Sequence, residues 1–459
     1  MAINEKLYQR FYEKLPRHLS ATQIVAIAFA AIILVGTLLL MLPISSRDGQ
    51  SCGFLVALFT ATSTTCVTGL TLCDTYTQWS GFGQVVIICL IQIGGLGFMS
   101  IATMVVFLLK RKVSLRQRLV MAQALSLNDM EGVVRLQKWV IFGSLSIEAT
   151  GALILMLRFL PEYGFWTALK LGAFHSVSAF CNAGFDIFGF ITPGASLMEL
   201  NRDPVVLLTL SALVIIGGLG FLVWEEVLKI RRFKKMTVYT RLVLVTSLAL
   251  LAFGTAAFAL LEWNNPETIG NMSVGHKLLN SFFQSVTVRT AGFAAMDQAA
   301  LTEAGKGVSM ALMLIGGSSG STAGGVKTAT MMVLLLFIWS RARGKSSVCV
   351  FHRTIAQGHV MNAMTIVSIL VGLSLAGTVI ICATSPVGFT NGLYESVSAL
   401  ATVGLTAGTT SLLSLPAKLL MIVFMYFGRV GVLTISLGFL MGTEARERFQ
   451  YAQTDVLIG

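Results

Sequence analysis

The chain has 459 residues, of which 55% are hydrophobic and only 12% are charged, with a mean hydropathy of +0.79. Soluble domains carry about 25% charged residues, so this composition excludes a soluble protein and indicates an integral membrane protein. The net charge of +12 does not indicate nucleic-acid binding, because most Lys and Arg residues fall in five short segments that separate pairs of apolar runs.

The first apolar run, residues 24–42, is long enough to span a hydrocarbon core of about 30 Å. No small-residue cleavage site follows it, so it predicts a retained span rather than a signal peptide. By the positive-inside rule the five basic segments are cytoplasmic. We therefore expect a multi-pass plasma-membrane protein with both termini in the cytoplasm.

Four units of helix, loop and helix follow one another along the chain. The predicted fold is an all-α membrane protein with four helix–pore loop–helix repeats around one central pore, eight transmembrane spans and four half-crossing pore helices. First helices are predicted at 22–42, 139–158, 242–262 and 361–383, and second helices at 83–109, 204–229, 307–340 and 417–441. The predicted boundaries are an N-terminal segment 1–20, repeats 21–109, 139–230, 240–340 and 361–441, and a tail 442–459.

Each predicted pore loop contains one version of a short phrase that ends in glycine. The four versions are TATSTTCVTG, HSVSAFCNAG, QSVTVRTAG and ESVSALATVG, ending at Gly69, Gly184, Gly292 and Gly404. Glycine tolerates the backbone that turns successive carbonyl oxygens toward one axis, where they can replace the water around a cation. We predict a K⁺ filter formed by Cys66, Val67, Thr68, Gly69, Asn182, Ala183, Gly184, Thr290, Ala291, Gly292, Thr402, Val403 and Gly404.

The four phrases are unequal, which predicts a short filter with looser selectivity than that of a channel with four identical, longer filter sequences. The third phrase is also one residue shorter and contains Arg289, three residues before its glycine. A guanidinium in the ion path would repel cations. We therefore expect Arg289 to lie behind the filter and to bind a carboxylate such as Glu395.

The third second helix contains a run of small residues where apolar residues should continue the span. This Gly/Ser run, residues 316–327, predicts a flexible plug below the filter, because irregular backbone at membrane depth is tolerated only in a cavity or inside protein. Nucleotide binding is not expected, because Val326 interrupts the GxxxxGK[ST] pattern. The predicted gate residues are Gly316, Gly317, Ser318, Ser319, Gly320, Ser321, Thr322, Ala323, Gly324, Gly325 and Lys327, together with Arg429.

Arg429 belongs to this group because it is a charge in the middle of the last apolar run. A charge at the bilayer centre costs at least ~2.5–3.5 kcal/mol, so such a residue is a functional candidate. It would raise the barrier to cations below the filter. A structural tether to loop carbonyls is the alternative.

The remaining polar residues indicate no catalytic site. Carboxylates on the outer loops, among them Asp74, Asp186, Asp297 and Glu395, would attract cations. Glu148, Glu225 and Glu226 are interpreted as hydrogen-bonding residues rather than a proton relay. His175 and His276 are expected at the water interface.

Two second helices share the sequence IGGLGF, at residues 93–98 and 216–221. Close packing is the favoured interpretation of Gly94, Gly95, Gly217 and Gly218, because small residues let membrane helices approach each other. Helix bending is the chief alternative.

The motifs MLPISS, TTCVTGL, QIGGLGFMS, FHSVSAFCNAGF, FQSVTVRTAGF, GGSSGSTAGGVKT and FGRVGVLT cover nearly the whole chain. Together they resemble the KtrB subunits of bacterial Ktr potassium uptake systems, within the KtrB/TrkH/HKT superfamily. The resemblance implies K⁺ uptake, often Na⁺-dependent, and a homodimer in the lipid bilayer on a cytosolic ring of nucleotide-binding KtrA-type subunits. It also implies that the Gly/Ser run is an intramembrane gate to which Arg429 contributes, and that the tail takes part in the dimer contact.

Three other functions remain open at this stage. One is the channel-like subunit of an ATP-driven K⁺ pump, and another is a less selective Na⁺/K⁺ transporter. The third is a membrane enzyme or redox protein, which would need paired carboxylates, haem histidines or a nucleophile dyad in the spans. K⁺ is the expected transported ion, with Na⁺ as a second candidate and no nucleotide on this chain.

Overall fold

The computed structural model describes residues 21–97, 133–345 and 347–431, and the structural statements below concern these residues. Several predicted features lie outside them: the N-terminal segment 1–20, the end of the first second helix (98–109), the inner end of the last helix (432–441) and the tail 442–459. The described chain is mainly helical, which confirms the all-α prediction.

Fourteen helices and one short hairpin make up the described part of the chain. The hairpin pairs β1 (Cys349–Val350) with β2 (Arg353–Thr354) in antiparallel orientation. In chain order the helices are α1 (Ala21–Leu40), α2 (Phe54–Thr65), α3 (Thr75–Gln78), α4 (Gly81–Leu96), α5 (Val133–Phe180), α6 (Pro204–Leu219), α7 (Phe221–Ile230), α8 (Val238–Glu262), α9 (Val274–Thr287), α10 (Glu303–Leu314), α11 (Thr328–Ala342), α12 (Gln357–Thr384), α13 (Phe389–Leu400) and α14 (Leu415–Val430).

Four of the described helices, α1, α5, α8 and α12, are long and apolar enough to span a membrane. They contain the predicted first helices of repeats two, three and four, and α1 covers that of repeat one up to residue 40, two residues short of its predicted end. α5 is longer than predicted because it continues through Pro161 and a bend at Gly164, with φ 73°, into the pore helix that follows. The bent pair α6 and α7 would make a fifth span. The count of eight spans stays a prediction.

Two predicted second helices are interrupted, so the continuous helices predicted over 204–229 and 307–340 are wrong. In repeat two, α6 and α7 meet at Gly220, which has a φ of 94°; α4 and α14 likewise end at glycines with positive φ, Gly97 at 81° and Gly431 at 95°. At Gly220 the chain turns by 95° between α6 and α7. In repeat three, the whole segment between α10 and α11 is irregular. Glycine permits the left-handed backbone that each break requires.

The first glycine of IGGLGF allows close packing, as predicted. A Cβ atom on Gly94 would collide with the carbonyl oxygen of Thr65 at the end of α2. A Cβ atom on Gly217 would collide with that of Phe180 at the end of α5. In the second copy of the motif the bend lies three residues later, at Gly220, so packing and bending belong to different glycines of that motif.

Candidate ion pathway

The four predicted filter glycines form a closed ring. A Cβ atom on Gly69, Gly184 or Gly292 would lie 2.6 Å from the carbonyl oxygen that precedes the glycine of the next repeat. A Cβ atom on Gly404 would collide with the carbonyl oxygen of Thr68, which closes the ring onto the first repeat. The ring therefore has no room for a side chain at these four positions.

The carbonyl oxygens beside these glycines are available to an ion. They belong to Thr68, Ala183, Ala291 and Val403. Within the described residues, none of these four oxygens accepts a hydrogen bond. Buried backbone carbonyls are nearly always paired, so four unpaired ones around one axis indicate a ligand-binding position.

The loops that carry these carbonyls share one backbone conformation. The residue two positions before each glycine, Val67, Asn182, Thr290 or Thr402, has a positive φ between 51° and 67°. In three loops the residue before the glycine donates its N–H to a carbonyl five residues back; in the third, Ala291 donates to Thr287, four residues back. The shorter phrase in repeat three is thus accommodated by a tighter turn.

Four helices end at these loops: α2, α5, α9 and α13. Each ends with its carbonyl groups toward the ring, four or five residues before the glycine. The C-terminal end of a helix carries a partial negative charge, which stabilises a nearby cation. Backbone dipoles therefore favour a cation at the ring without any charged side chain there.

A cavity of about 280 Å³ opens above the ring and is lined by all four glycines. Asp74, Asp186 and Asp297 also line it, as predicted for outer carboxylates. Asp186 lies in a loop outside the spanning helices. Its burial and, to a smaller extent, the carboxylate of Asp74 raise the pKa of Asp186 to about 6.

Two predicted surface residues are instead buried behind the ring. Glu395 is fully buried and does not face the outer cavity. It accepts hydrogen bonds from Thr406, Thr409 and Thr410, at 2.5 to 2.9 Å, and from the N–H of Ala407 at 3.1 Å. His175 is 1% exposed, so its predicted place at the water interface is wrong. His276, in contrast, is partly exposed at the start of α9.

The Gly/Ser run lies on the other side of the ring from the outer cavity. The Thr322 hydroxyl contacts the Phe180 carbonyl at 3.1 Å and the Asn182 side-chain oxygen at 3.0 Å. The main chain at Gly324 packs so closely on Thr402 that no Cβ would fit. The run thus touches the loops of repeats two and four at their deep ends.

The same run is fastened to the broken second helix of repeat two. Ser318 and Thr322 donate their N–H groups to the carbonyls of Gly218 and Gly217 at 3.0 and 3.3 Å. The N–H of Phe221 in turn donates to Gly320 at 2.9 Å. The break at Gly220 therefore exposes backbone groups that the run occupies.

Arg429 ties the run to repeat one. Its guanidinium donates to the carbonyl oxygens of Thr322 and Gly94, and to that of Gly95 at 3.1 Å. Lys327, the last residue of the run, donates to the carbonyl of Ala323 at 2.7 Å. Both cations thus bind backbone carbonyls. This geometry agrees with the tether interpretation of Arg429 and leaves its positive charge beside the run.

Arg289 lies behind the ring, but its expected carboxylate partner is wrong. Its guanidinium lies 3.4 Å from the carbonyl oxygen of Gly316 and from the hydroxyl of Thr328, both at the ends of the run. The partner expected from the sequence, Glu395, is occupied by its own loop. Arg289 therefore links the third pore loop to the run.

The other buried or inner carboxylates make hydrogen bonds, as predicted. Gln92 donates to both oxygens of Glu148 at 3.0 Å. Glu225 pairs with Lys229 within α7. Glu226 accepts from the N–H and hydroxyl of Thr237, at 2.5 and 2.8 Å, and so caps α8.

Known proteins resemble this chain over nearly its full length. The model of the TrkH family, described as a cation transport protein, matches residues 2–451. The potassium/sodium uptake protein NtpJ of Enterococcus hirae is 39% identical over 452 residues, which cover 97% of this chain and 99% of that protein. The Ktr system potassium uptake protein B of Bacillus subtilis is 39% identical over 427 residues, 93% of this chain and 94% of that protein.

The crystal structure of the potassium transporter TrkH from Vibrio parahaemolyticus has a similar fold. Its TM-score is 0.71 at 16% identity, and the match covers 94% of this chain and 86% of that chain. At this identity the likeness concerns the fold alone. The resemblance predicted from the sequence motifs is confirmed by the family model and the relatives together, and the chain belongs to the TrkH family of cation transport proteins.

Proposed function

We propose that this chain is the K⁺-translocating subunit of a gated potassium uptake system. The ring of glycines and unpaired carbonyls is the filter, and the Gly/Ser run with Arg429 is the gate. The observation that carries the proposal is the ring itself, because four backbone carbonyls at one level can replace the hydration shell of a cation without chemistry on the protein. The names of the relatives point to K⁺, and one of them also to Na⁺.

A gate at the run has specific support in its contacts. The run is hydrogen-bonded to repeat two and to Arg429 of repeat four, which links it to repeat one. These links are loop contacts of a Gly-rich segment rather than helix packing. Such a segment has a low cost of rearrangement, as expected for an element that moves. We propose that a nucleotide-binding KtrA-type ring, bound to a homodimer of this chain at the cytoplasmic side, controls this movement, and that Na⁺ activates or accompanies transport.

The test is ⁸⁶Rb⁺ uptake into liposomes that contain the purified chain, with K⁺ and Na⁺ as competitors and the partner added or withheld. We expect uptake that K⁺ competes more strongly than Na⁺, but less sharply than in a tetrameric K⁺ channel. Partner and nucleotide should change the rate. Full activity without the partner would contradict the regulated-subunit proposal. Strict dependence on ATP hydrolysis would favour the pump-subunit alternative, and equal competition by Na⁺ a less selective Na⁺/K⁺ transporter.

The outer cavity gives this proposal a pH dependence. A raised pKa means that Asp186 gains its proton as the outer pH falls through about 6, so the cavity loses one negative charge below that pH. At subsaturating Rb⁺ we expect uptake to fall roughly two- to fourfold between pH 7 and pH 5. Asp186→Asn should take up Rb⁺ at the low rate at both pH values and show no fall between pH 7 and pH 5.

Asp48→Asn is the matched control, because Asp48 lies in an exposed outer loop that does not line the cavity. This variant should keep the fall in Rb⁺ uptake between pH 7 and pH 5. A fall in uptake that persists in Asp186→Asn would contradict the assignment of the pH dependence to Asp186.

A further inference from the structure

The imidazole of His175 is fixed behind the second filter loop by hydrogen bonds at both nitrogens. Nδ1 lies 2.7 Å from the carbonyl oxygen of Leu171, and Nε2 lies 3.2 Å from the backbone nitrogen of Ile187. A neutral ring with its proton on Nδ1 satisfies both contacts, donating to Leu171 and accepting from Ile187. The ring of Phe188 stacks on the imidazole with centroids 4.1 Å apart. The side chain therefore holds one tautomer and one orientation.

Glu395 makes the corresponding contact in the fourth loop. Its Oε1 accepts the backbone N–H of Ala407 at 3.1 Å. The hydroxyl groups of three threonines from the segment after the glycine also donate to its carboxylate. Both residues lie nine positions before the filter glycine of their repeat. Both bind the backbone N–H three positions after that glycine. One polar side chain thus spans the filter loop from its helix to the segment that leaves it.

The third loop has a related arrangement and the first does not. Gln284, at the corresponding position of the shorter third phrase, pairs with Gln298 through two hydrogen bonds of 2.6 and 3.2 Å. Tyr394 of the fourth repeat donates to the same Gln298 at 2.9 Å. In the first loop the position is Thr60, whose side chain is the shortest of the four. In repeats two and four, the first residue of the phrase therefore bonds across its own filter loop, and we call such a residue a brace. In repeat three, the first residue instead belongs to a hydrogen-bonded link to repeat four.

We propose that His175 and Glu395 are positioning residues that fix the width of the filter and thereby set its preference for K⁺ over Na⁺. This inference rests on the proposed function. The three residues after each glycine, here called the exit segment (185–187 and 405–407), carry the chain from the ring into the outer cavity. If the brace is removed, a buried N–H loses its acceptor and the exit segment gains freedom to move.

The consequence follows from how the ring discriminates ions. The filter glycines contact each other with no side chains between them, so only the chain behind the ring keeps the carbonyls from approaching a smaller ion. Selectivity for the larger ion depends on this resistance or on the number of carbonyls held in place. A loosened exit segment reduces both this resistance and the number of carbonyls held in place. Competition by Na⁺ should therefore strengthen by more than competition by K⁺ weakens.

The experiment compares His175→Leu, which has no acceptor, with His175→Gln, whose side-chain oxygen can accept the N–H of Ile187. The full chain is reconstituted in liposomes, and the concentrations of K⁺ and Na⁺ that halve ⁸⁶Rb⁺ uptake are measured. We expect His175→Leu to lower the ratio of the Na⁺ concentration to the K⁺ concentration about fivefold to tenfold, and His175→Gln to stay within about twofold of the original chain. His276→Leu, at a partly exposed histidine whose imidazole contacts Ser273 of its own helix start, should leave the ratio unchanged.

The second brace keeps the proposal testable if His175→Leu does not fold. Glu395→Gln keeps an oxygen for Ala407, and Glu395→Leu removes it, so the same difference in ratio is expected between this pair. A folded leucine variant with the original ratio would overturn the proposal. Failure of the unaltered chain to take up ⁸⁶Rb⁺ would instead count against the proposed function, so the two failures are distinguishable.

Discussion

Gly292→Ala should abolish most cation uptake, with a loss of about a hundredfold in the initial rate of ⁸⁶Rb⁺ entry into liposomes. The added Cβ would lie 2.6 Å from the carbonyl oxygen of Val403, a backbone atom that cannot rotate away. The residue also has a φ of 85°, which costs roughly 1–2 kcal/mol for a side chain other than glycine. With ~1–3 kcal/mol for the collision, the sum is about 2–5 kcal/mol, a range that includes the 2.7 kcal/mol that corresponds to about a hundredfold.

The matched control is Gly372→Ala. Gly372 lies inside α12, and a Cβ on it would meet no atom within 4 Å. Alanine is a better helix former than glycine, so this variant should fold and transport as the original chain does. Size-exclusion profiles of both variants separate a blocked ring from a misfolded protein. A well-folded Gly292→Ala variant with normal uptake would contradict the assignment of these glycines to the filter.

The ring of four glycines was predictable from sequence, because each glycine is required by the close contacts at its own position. A position that cannot hold a Cβ must be glycine in each repeat, and the four phrases place such a glycine at the same point. The breaks in the second helices were less visible, since the glycines of IGGLGF read equally as packing sites. Only the structure separates Gly217, which packs on Phe180, from Gly220, at which the chain turns.

Partners of polar side chains were not predictable, because they depend on which segments meet in space. Glu395 reads as an outer carboxylate, yet threonines eleven to fifteen residues further along the chain bury it. His175 reads as an interfacial residue, yet its partner is a backbone N–H beyond the filter glycine. A signal was present: aligning the four phrases on their glycines places both residues at the same first position.

Arg429→Ala should raise ⁸⁶Rb⁺ flux roughly tenfold when no partner is bound. Two effects act in the same direction. The carbonyls of Thr322, Gly94 and Gly95 lose their donor, so the Gly/Ser run is freed from repeat one. A positive charge is also removed from the path. At about 10 Å from the ion and an effective dielectric constant of about 20, that charge is worth about 1.7 kcal/mol, close to tenfold in rate.

Arg429→Lys separates the tether from the charge, because an ammonium keeps the charge but cannot bind carbonyls on two segments with the planar fork of a guanidinium. If the electrostatic barrier limits flux, the lysine variant should stay near the original rate and only Arg429→Ala should rise. If the tether limits flux, both variants should rise together. Since the guanidinium contacts the run through Thr322 and repeat one through Gly94, we expect the lysine variant to rise by at least half as much as the alanine variant on a logarithmic scale. An unchanged rate in Arg429→Ala would contradict a role for this residue in holding the pathway shut.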